Sequence, residues 1–139
     1  MQEDLTALRT KFLDSLEAIG VDEAQVVMDN QPSADVDEGR VWVRFTIRPG
    51  EKRASSFGKR KVMTQIGEII LQVFAPIGSG AAAIYEIAGA FNTAYEDWVV
   101  RDESGSIRTY YSKLQDYPSQ TGLQVNAIVY YESNRRQAI

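Results

Sequence analysis

A short glycine-rich run at residues 78–83, Gly-Ser-Gly-Ala-Ala-Ala, is the first place where the sequence could do chemistry. It fits G-x-G-x-x-G/A, in which the glycines let the backbone approach a dinucleotide and the following helix N-terminus holds the phosphates. Such a site also needs a parallel strand after the helix, ending in an acidic residue. Here the helical pattern runs into R-D-E-S-G at residues 101–105, and the chain lacks room for a second nucleotide-binding half. We interpret the run as a tight turn whose small residues let a helix approach a sheet.

A second possible reactive pattern is S-x-x-K, formed by Ser56 and Lys59. In penicillin-binding enzymes this pattern supplies the nucleophilic serine. The partner motifs S-D-N and K-T-G are absent from the sequence, and the pattern falls in a loop rather than at the start of a helix. We therefore interpret it as an accidental match.

The composition argues against an enzyme. The 139 residues include no histidine, the commonest general base and metal ligand, and no cysteine, which excludes disulfides and thiol chemistry. The loop carboxylates are expected to be solvated, since no histidine or pocket is there to raise a pKa. These carboxylates are Asp35, Asp37, Glu38, Asp102 and Glu103. No catalytic residue, metal site or cofactor is predicted.

Residues 51–61 carry charge of the opposite sign to the rest of the chain. Five basic residues against one acidic residue give this stretch +4, and since the whole chain carries −4, the remainder carries −8. The stretch predicts a contact with an acidic protein surface or with DNA phosphate, the alternative being a solvated loop. Its candidate contact residues are Lys52, Arg53, Phe57, Lys59, Arg60 and Lys61.

A second candidate surface lies on the strand that precedes this stretch. Val41, Val43, Phe45 and Ile47 alternate with Trp42, Arg44, Thr46 and Arg48. The first set is expected to face the core and the second to face outward. A tryptophan is costly to leave in water, so Trp42, with Arg44 and Arg48, is expected to pack on a neighbouring element or subunit.

Two helices are predicted to position these features. The first covers residues 1–20, with Asp4 as a possible N-cap, Gly20 after its C-terminus and Leu13 widening its apolar stripe. The stripe itself is Leu5, Leu8, Phe12, Leu16 and Ile19. The second helix covers about residues 81–100. Its core face is Ile84, Ala88, Phe91, Tyr95 and Trp98.

The remaining segments predict strands and loops. Strands are expected at residues 26–28, 41–48, 63–75, 107–111 and 123–131. Pro49-Gly50 is expected to end the second strand and Pro76 the third, while Gly67 marks a bulge or a close backbone approach. Loops are expected at residues 29–39, 51–61, 102–105 and 117–122, and a frayed tail at 133–139.

These elements predict one α+β domain, residues 1–139, with a mostly antiparallel sheet packed against two main helices. With 44% hydrophobic and 24% charged residues, the chain is expected to fold and to be soluble. No apolar run approaches the ~20 residues of a membrane span, so no membrane partner is expected. The N-terminus lacks the apolar segment of a signal peptide, which predicts synthesis into a cytoplasm.

Four runs of the sequence resemble the tail terminator proteins of long-tailed bacteriophages. They are N-Q-P (residues 30–32), R-V-W-V-R-F-T-I-R-P-G-E (40–51), G-E-I-I-L-Q-V-F-A-P-I-G-S-G (67–80) with the small and aromatic helix that follows, and L-Q-V-N-A-I-V-Y-Y-E (123–132). The resemblance covers most of residues 30–132 and contains no catalytic signature.

The resemblance implies an α+β domain that assembles into a homo-oligomeric, hexameric ring. Such a ring caps the tail-tube protein, stops its polymerisation and offers a docking face to the head connector or head-closure protein, with DNA passing through its lumen. Residues 51–61 lie where related proteins have a mobile loop between two strands. The implied location is the virion, at the head–tail junction, after assembly in the host cytoplasm.

Two alternatives remain open on the sequence. One is another head–tail joining protein, such as a head-closure or connector component. The other, less favoured, is a nucleotide-dependent enzyme that uses the turn at residues 78–83. A ring with head-to-tail contacts needs two different complementary patches on each copy, and segregated charge can supply them.

Overall fold

The computed structural model describes residues 2–29, 36–78, 81–119 and 122–137, with the backbone alone at 117–119. The N-Q-P run, Asp35, the Ser79-Gly80 part of the glycine-rich turn and the last two residues of the expected tail lie outside the described residues. Two main helices and a six-stranded sheet form an α+β fold, as the sequence predicts.

The first helical region is broken once. Helix α1 spans Gln2–Asp14 and the short helix α2 spans Leu16–Ile19. The break falls at Ser15, whose hydroxyl donates to the Lys11 carbonyl at 2.7 Å. Gly20 follows α2 with φ of 87°, a left-handed conformation that favours glycine and confirms its predicted place after the C-terminus. Leu13, however, is exposed and does not widen the buried stripe.

The sheet consists of six strands in the order β1-β2-β3-β6-β5-β4. Their bounds are β1 Val26–Val27, β2 Trp42–Ala54, β3 Val62–Pro76, β4 Val99–Asp102, β5 Gly105–Ser119 and β6 Gly122–Arg136. Strand β1 pairs parallel to β2, and every other neighbouring pair is antiparallel. The long central strands β3 and β6 pair without interruption from Val62↔Arg136 to Pro76↔Gly122.

Helix α3, Ala82–Ala94, and helix α1 pack on one face of this sheet around an aromatic cluster. Phe12 of α1 stacks on Phe45 of β2, with ring centroids 4.4 Å apart. Phe91 of α3 contacts both rings edge-on and lies 5.1 Å from Tyr95. The buried Tyr95 hydroxyl donates to the Leu8 carbonyl at 2.6 Å, and burial raises its pKa. Four predicted core residues therefore connect α1, β2 and the end of α3.

The second predicted helix is too long. Helix α3 ends at Ala94, Asp97 takes a left-handed φ of 54°, and Val99 already belongs to β4. Thr109 of β5 explains the stop, because its hydroxyl donates to the Tyr95 carbonyl and its N–H donates to the Trp98 carbonyl. The carbonyls that a longer helix would use internally are thus bound by the sheet.

Pro49-Gly50 does not end β2, which continues to Ala54 after a register shift between Pro49 and Lys52. Ile47 donates its N–H to Asp29, on the side away from β3, and Pro49 lies two residues further along the same strand. Its missing N–H therefore faces an edge where no ladder bond is lost. The loop expected at residues 51–61 shortens to residues 55–61.

Strand β5 is also longer than predicted. It runs from Gly105 to Ser119 and includes part of the loop expected at residues 117–122. Beyond Arg108 it no longer pairs with β4, so Pro118 lies on an edge strand, where proline is tolerated. The expected frayed tail is wrong over Ser133 and its successors to Arg136, because these residues continue β6 between β3 and β5.

Candidate assembly surface

The β2–β3 hairpin presents most of the predicted basic contacts. Lys52 and Arg53 lie on β2, paired with Gln65 and Thr64. The hairpin tip, which we define as residues 55–61, carries Phe57, Lys59, Arg60 and Lys61, all exposed. Phe57 is 101% exposed, so its ring contacts water alone.

Hydrogen bonds close the hairpin tip at its base. Ser55 donates its N–H to the Val62 carbonyl at 2.8 Å, and Val62 donates its N–H to the Ser56 hydroxyl at 2.8 Å. Gly58 has φ of 114°, a conformation that only glycine adopts readily. Ser56 therefore shapes the turn, which agrees with its interpretation as an accidental match to S-x-x-K.

The positive charges of the hairpin are exposed to solvent. Within the part of the chain that the structure describes, none of Lys59, Arg60 and Lys61 forms an ion pair, and the same holds for Lys52 and Arg53. A cluster of like charges held in water without counter-charges raises the local potential and attracts an acidic partner. The cluster is therefore available for binding rather than used in folding.

Trp42, Arg44 and Arg48 form a second surface, on the sheet face opposite the helices. Trp42 stacks on Phe74 of β3 with centroids 4.2 Å apart, and Arg44 lies over the indole at 5.6 Å. Arg48 pairs with Glu68 at 3.6 Å. Trp42 thus packs on a neighbouring strand, one of the two expected outcomes. The 13-residue strand β2 separates Trp42 from the hairpin tip by about 40 Å, so the two predicted contact groups are not brought together.

A partly buried charge cluster that the sequence did not predict lies on β6, beside the base of the hairpin. Arg135 of β6 donates to Asp4 at 2.7 Å and to Asp102 at 2.6 Å, while Ser133 donates to the second Asp4 oxygen at 2.6 Å. Asp4 therefore does not cap α1; its side chain turns to the sheet and is almost fully buried. The cluster ties the start of α1 to β6 and to the β4–β5 turn.

The electrostatics of this cluster follow from its geometry. Hydrogen bonds from Arg135 and Ser104 lower the pKa of Asp102 to about 2. Burial opposes the charge of Arg135, but hydrogen bonds with Asp4 and Asp102 outweigh it and raise the pKa of the guanidinium. One sequence signal could have found Arg135: it continues the period-2 series of Tyr131 and Ser133 on the helix-facing side of β6.

Gly67 lets the backbone of β3 approach Tyr131 closely, which is one of the two roles predicted for this glycine. A Cβ atom at this position would lie 2.5 Å from the Tyr131 hydroxyl oxygen. Tyr131 itself is buried, which raises its pKa to about 12. The glycine lets β3 cross the ring without displacing it.

The structure gives the glycine-rich turn no dinucleotide-binding topology. Gly78 has a left-handed φ of 89°, as a tight turn requires. Three antiparallel pairings separate β3 from β4, so the strand that follows α3 runs opposite to β3. A dinucleotide fold needs that strand to be parallel.

Two further observations concern the described residues alone. No group of three or more of their acidic side chains could hold a metal ion. Among their helices, none has the length and apolar character needed to cross a membrane.

Comparisons with known proteins provide evidence about the fold alone. No family model matches the chain, and no curated protein matches it. Among solved structures, 22 chains match. One of them has a TM-score of 0.67 and 19% sequence identity, and the match covers 100% of this chain and 98% of that chain. At this identity the likeness shows a shared fold alone.

Proposed function

We propose that this chain is a structural virion protein of the tail terminator kind. It forms a homo-oligomeric ring, hexameric as in the proteins it resembles, that caps the tail-tube protein and ends tube polymerisation. The other side of the ring docks a head connector or head-closure protein, and DNA passes through the lumen. Its place is the head–tail junction of the virion, reached after assembly in the host cytoplasm.

The hairpin tip is the observation that carries this proposal. Its aromatic ring and its three cations are exposed to solvent, and a hydrogen bond between Val62 and Ser56 closes the turn that carries them. No ion pair between described residues neutralises the cations. These groups are free to meet a partner, and the concentrated positive charge attracts an acidic one. A large exposed ring among cations fits a protein contact, since aromatic and arginine side chains are enriched at interfaces.

The resembling runs support the same proposal through their placement. Residues 40–51, 67–80 and 123–132 are far apart in the sequence. Over their described parts they lie mainly on β2, β3 and β6, three adjacent strands of the sheet. The resemblance thus follows one continuous piece of the fold rather than three unrelated segments.

Electron microscopy tests the proposal directly. Negative-stain images of the purified protein, alone and with tail-tube protein, should show rings, and short capped tubes in place of long ones. A chain that forms no ring and leaves tube length unchanged would contradict it. A pull-down against tail-tube protein and against head connector separates the terminator from the head-closure alternative.

The nucleotide-dependent enzyme is tested by melting the protein with NAD(P), FAD and ATP. A ligand that binds only the native state raises the melting temperature. We expect no shift, because β4 runs against β3. A saturable shift with a micromolar midpoint would favour the enzyme.

A further inference from the structure

The face of the sheet that the described helices α1 and α3 leave uncovered, which we call the open face, carries two arginines of β2. Arg44 and Arg48 point to this face because they alternate with the core residues of the strand. Arg44 lies over the Trp42 ring, and Arg48 pairs with Glu68 of β3. The β2 side of the open face is therefore lined by positive charge.

Arg53 extends this line beyond the register shift of β2. It pairs with Thr64 of β3, and Thr64 pairs with Asn134 of β6. Residues that pair across strands share a face, and Asn134 follows Ser133, whose hydroxyl bonds to α1. Asn134, and with it Arg53, therefore lies on the open face. Arg53 comes nine positions after Arg44, so the three arginines, which we call the arginine line, extend over about 30 Å.

Three tyrosine rings lie on the same face. The ring centroid of Tyr130 on β6 lies 6.4 Å from that of Tyr110 and 5.6 Å from that of Tyr111, both on β5. A bulge in β5 at this point places its two neighbouring rings on one side. Arg108 lies over Tyr110 at 5.7 Å and Lys113 over Tyr130 at 5.6 Å. Tyr110 and Tyr111 are 49% and 58% exposed, so a ligand can reach their rings.

Positive charge on the open face is only partly neutralised. The carboxylates of its central strands, Glu68 and Glu132, are each paired with one arginine. Arg44, Arg53 and Lys113 form no ion pair within the described part of the chain. Because the whole chain carries −4, this face is opposite in sign to the rest of the molecule and favours an anion.

The pairing of the strands puts the tyrosine rings beside the arginine line. Arg48 pairs with Glu68, which pairs with Tyr130. Tyr130 in turn pairs with Tyr111, so the four residues form one row across four neighbouring strands. Two strand spacings, about 10 Å, separate Arg48 from Tyr130. A ligand whose charges follow β2 can therefore place flat groups on β6 and β5.

We propose that the open face binds single-stranded DNA. Its phosphates lie along the arginine line, and its unpaired bases stack on the tyrosine rings. A positive groove that follows the backbone, beside aromatic rings that receive the bases, is the arrangement by which proteins hold single strands. A duplex keeps the faces of its bases inside its own stack, so it would leave the rings unused. The choice of DNA over RNA rests on the proposed function, in which DNA passes through the ring.

Fluorescence anisotropy of the full chain with a labelled oligothymidine of about 12 nucleotides tests the proposal. The comparison ligands are a strand of the same length with abasic sites, a duplex of the same length, the corresponding oligouridine and polyglutamate. We expect oligothymidine to bind about 10- to 100-fold more tightly than the abasic strand, which has the same phosphates and lacks only the bases. Equal affinity for these two strands, or tighter binding of the duplex, oligouridine or polyglutamate, would overturn the proposal.

Tyr111→Ala, alone and together with Tyr110→Ala, tests the stacking contact. We expect the affinity for oligothymidine to fall about 5- to 100-fold and the affinity for the abasic strand to change little. Tyr85→Ala is the matched control, because Tyr85 is 41% exposed but belongs to α3, on the other side of the sheet. An equal loss for both strands would show that the rings act without the bases, and the proposal would fall.

Arg53→Gln tests the phosphate contact against a control at the preceding residue. Lys52 pairs with Gln65 and lines a cavity with Ser133 on the helix-facing side, so Lys52→Gln removes the same charge from the other face. We expect Arg53→Gln to lower the slope of log affinity against log salt by about one, and Lys52→Gln to leave the slope unchanged. Equal slopes for the two variants would contradict the arginine line as the phosphate site.

Electron microscopy of the same preparations separates this inference from the proposed function. Rings formed by a protein that does not distinguish oligothymidine from the abasic strand would overturn the inference and leave the proposed function standing. A protein that prefers oligothymidine as expected, but forms no ring alone or with tail-tube protein, would overturn the proposed function and leave binding at the open face standing.

Discussion

Positive charge occurs in two opposite surroundings at the same end of the sheet: on the single side chain of Arg135 and on the hairpin tip. Arg135, whose side chain is 11% exposed, pairs with Asp4 at 2.7 Å, Asp102 at 2.6 Å and Glu3 at 3.4 Å. The hairpin tip ends at Lys61, two residues before Met63, which is the β3 partner of Arg135. Its cations are exposed and unpaired within the described residues.

The difference shows how one chain can use like charges for two purposes. A buried charge is tolerated only when carboxylates and hydrogen bonds replace its water, so Arg135 is tied to the fold. An exposed charge keeps its water and costs the fold little, so the tip remains free to meet a partner. Stability and assembly should therefore respond to different substitutions.

Removal of Arg135 is expected to have the largest effect. Arg135→Met leaves the Asp4 carboxylate buried beside Ser133 without a cation, which should lower the free energy of unfolding by about 3–5 kcal/mol. Urea denaturation of dilute protein measures the change. The double variant Asp4→Leu with Arg135→Met removes both charges and should recover much of the loss. A loss below about 1 kcal/mol for Arg135→Met would mean that the cluster behaves like an ordinary surface ion pair.

Acidification should also destabilise the folded protein, with a smaller effect, through protonation of Asp102. Its pKa is about 2 in the folded protein against an ordinary value of 3.8, so the charged carboxylate favours the folded state. That contribution is present above the ordinary pKa and is lost as the pH falls from 3.8 towards 2. The urea midpoint measured over this range should fall more steeply for the parent than for Asp102→Asn. Equal slopes would show that Asp102 titrates alike in both states.

The centre of the sheet could be predicted from the sequence because burial there imposes a regular pattern. Val43, Phe45 and Ile47 alternate with polar neighbours, and all three are buried on the helix-facing side. Alternation reports which face meets a helix, and this relation does not depend on distant parts of the chain.

The ends of the strands could not be predicted in this way. Pro49 ends a strand by local rules, yet it lies where its missing N–H costs nothing. Asp4 suits a helix cap by local rules, but its partner Arg135 is 131 residues away. Local preference is worth about 1 kcal/mol at a cap, less than the penalty for a buried, unpaired Arg135.

Only part of the charge distribution at the surface could be predicted from the sequence, for a related reason. Composition alone identifies the basic stretch at residues 51–61, because five cations fall in eleven residues. The position of Glu96 and Asp97, by contrast, depends on where α3 ends. The sequence pattern carried the helix through Glu96 and Asp97, and only the hydrogen bonds of Thr109 show that these carboxylates lie beyond it.

Neutralisation of the hairpin tip is expected to have the smallest effect on stability. Lys59, Arg60 and Lys61 changed together to serine remove three exposed charges and no ion pair between described residues. Surface changes of this kind usually move the free energy of unfolding by less than about 0.5 kcal/mol. The melting temperature of the triple variant should therefore stay close to that of the parent. A control with Arg40→Ser and Arg101→Ser, both exposed and away from the tip, changes the net charge in the same direction.

Assembly of the same triple variant should respond in the opposite sense. Charges that meet across a contact are screened over about 8–10 Å at ordinary salt, so the loss should be greatest at low ionic strength. Light scattering during ring formation and tube capping, across a salt series, should show slower assembly and a flatter salt dependence than in the parent or control. Equal assembly at every salt concentration would make the tip a solvated turn. A triple variant that failed to fold would remove the comparison, because the tip would then support the fold as Arg135 does.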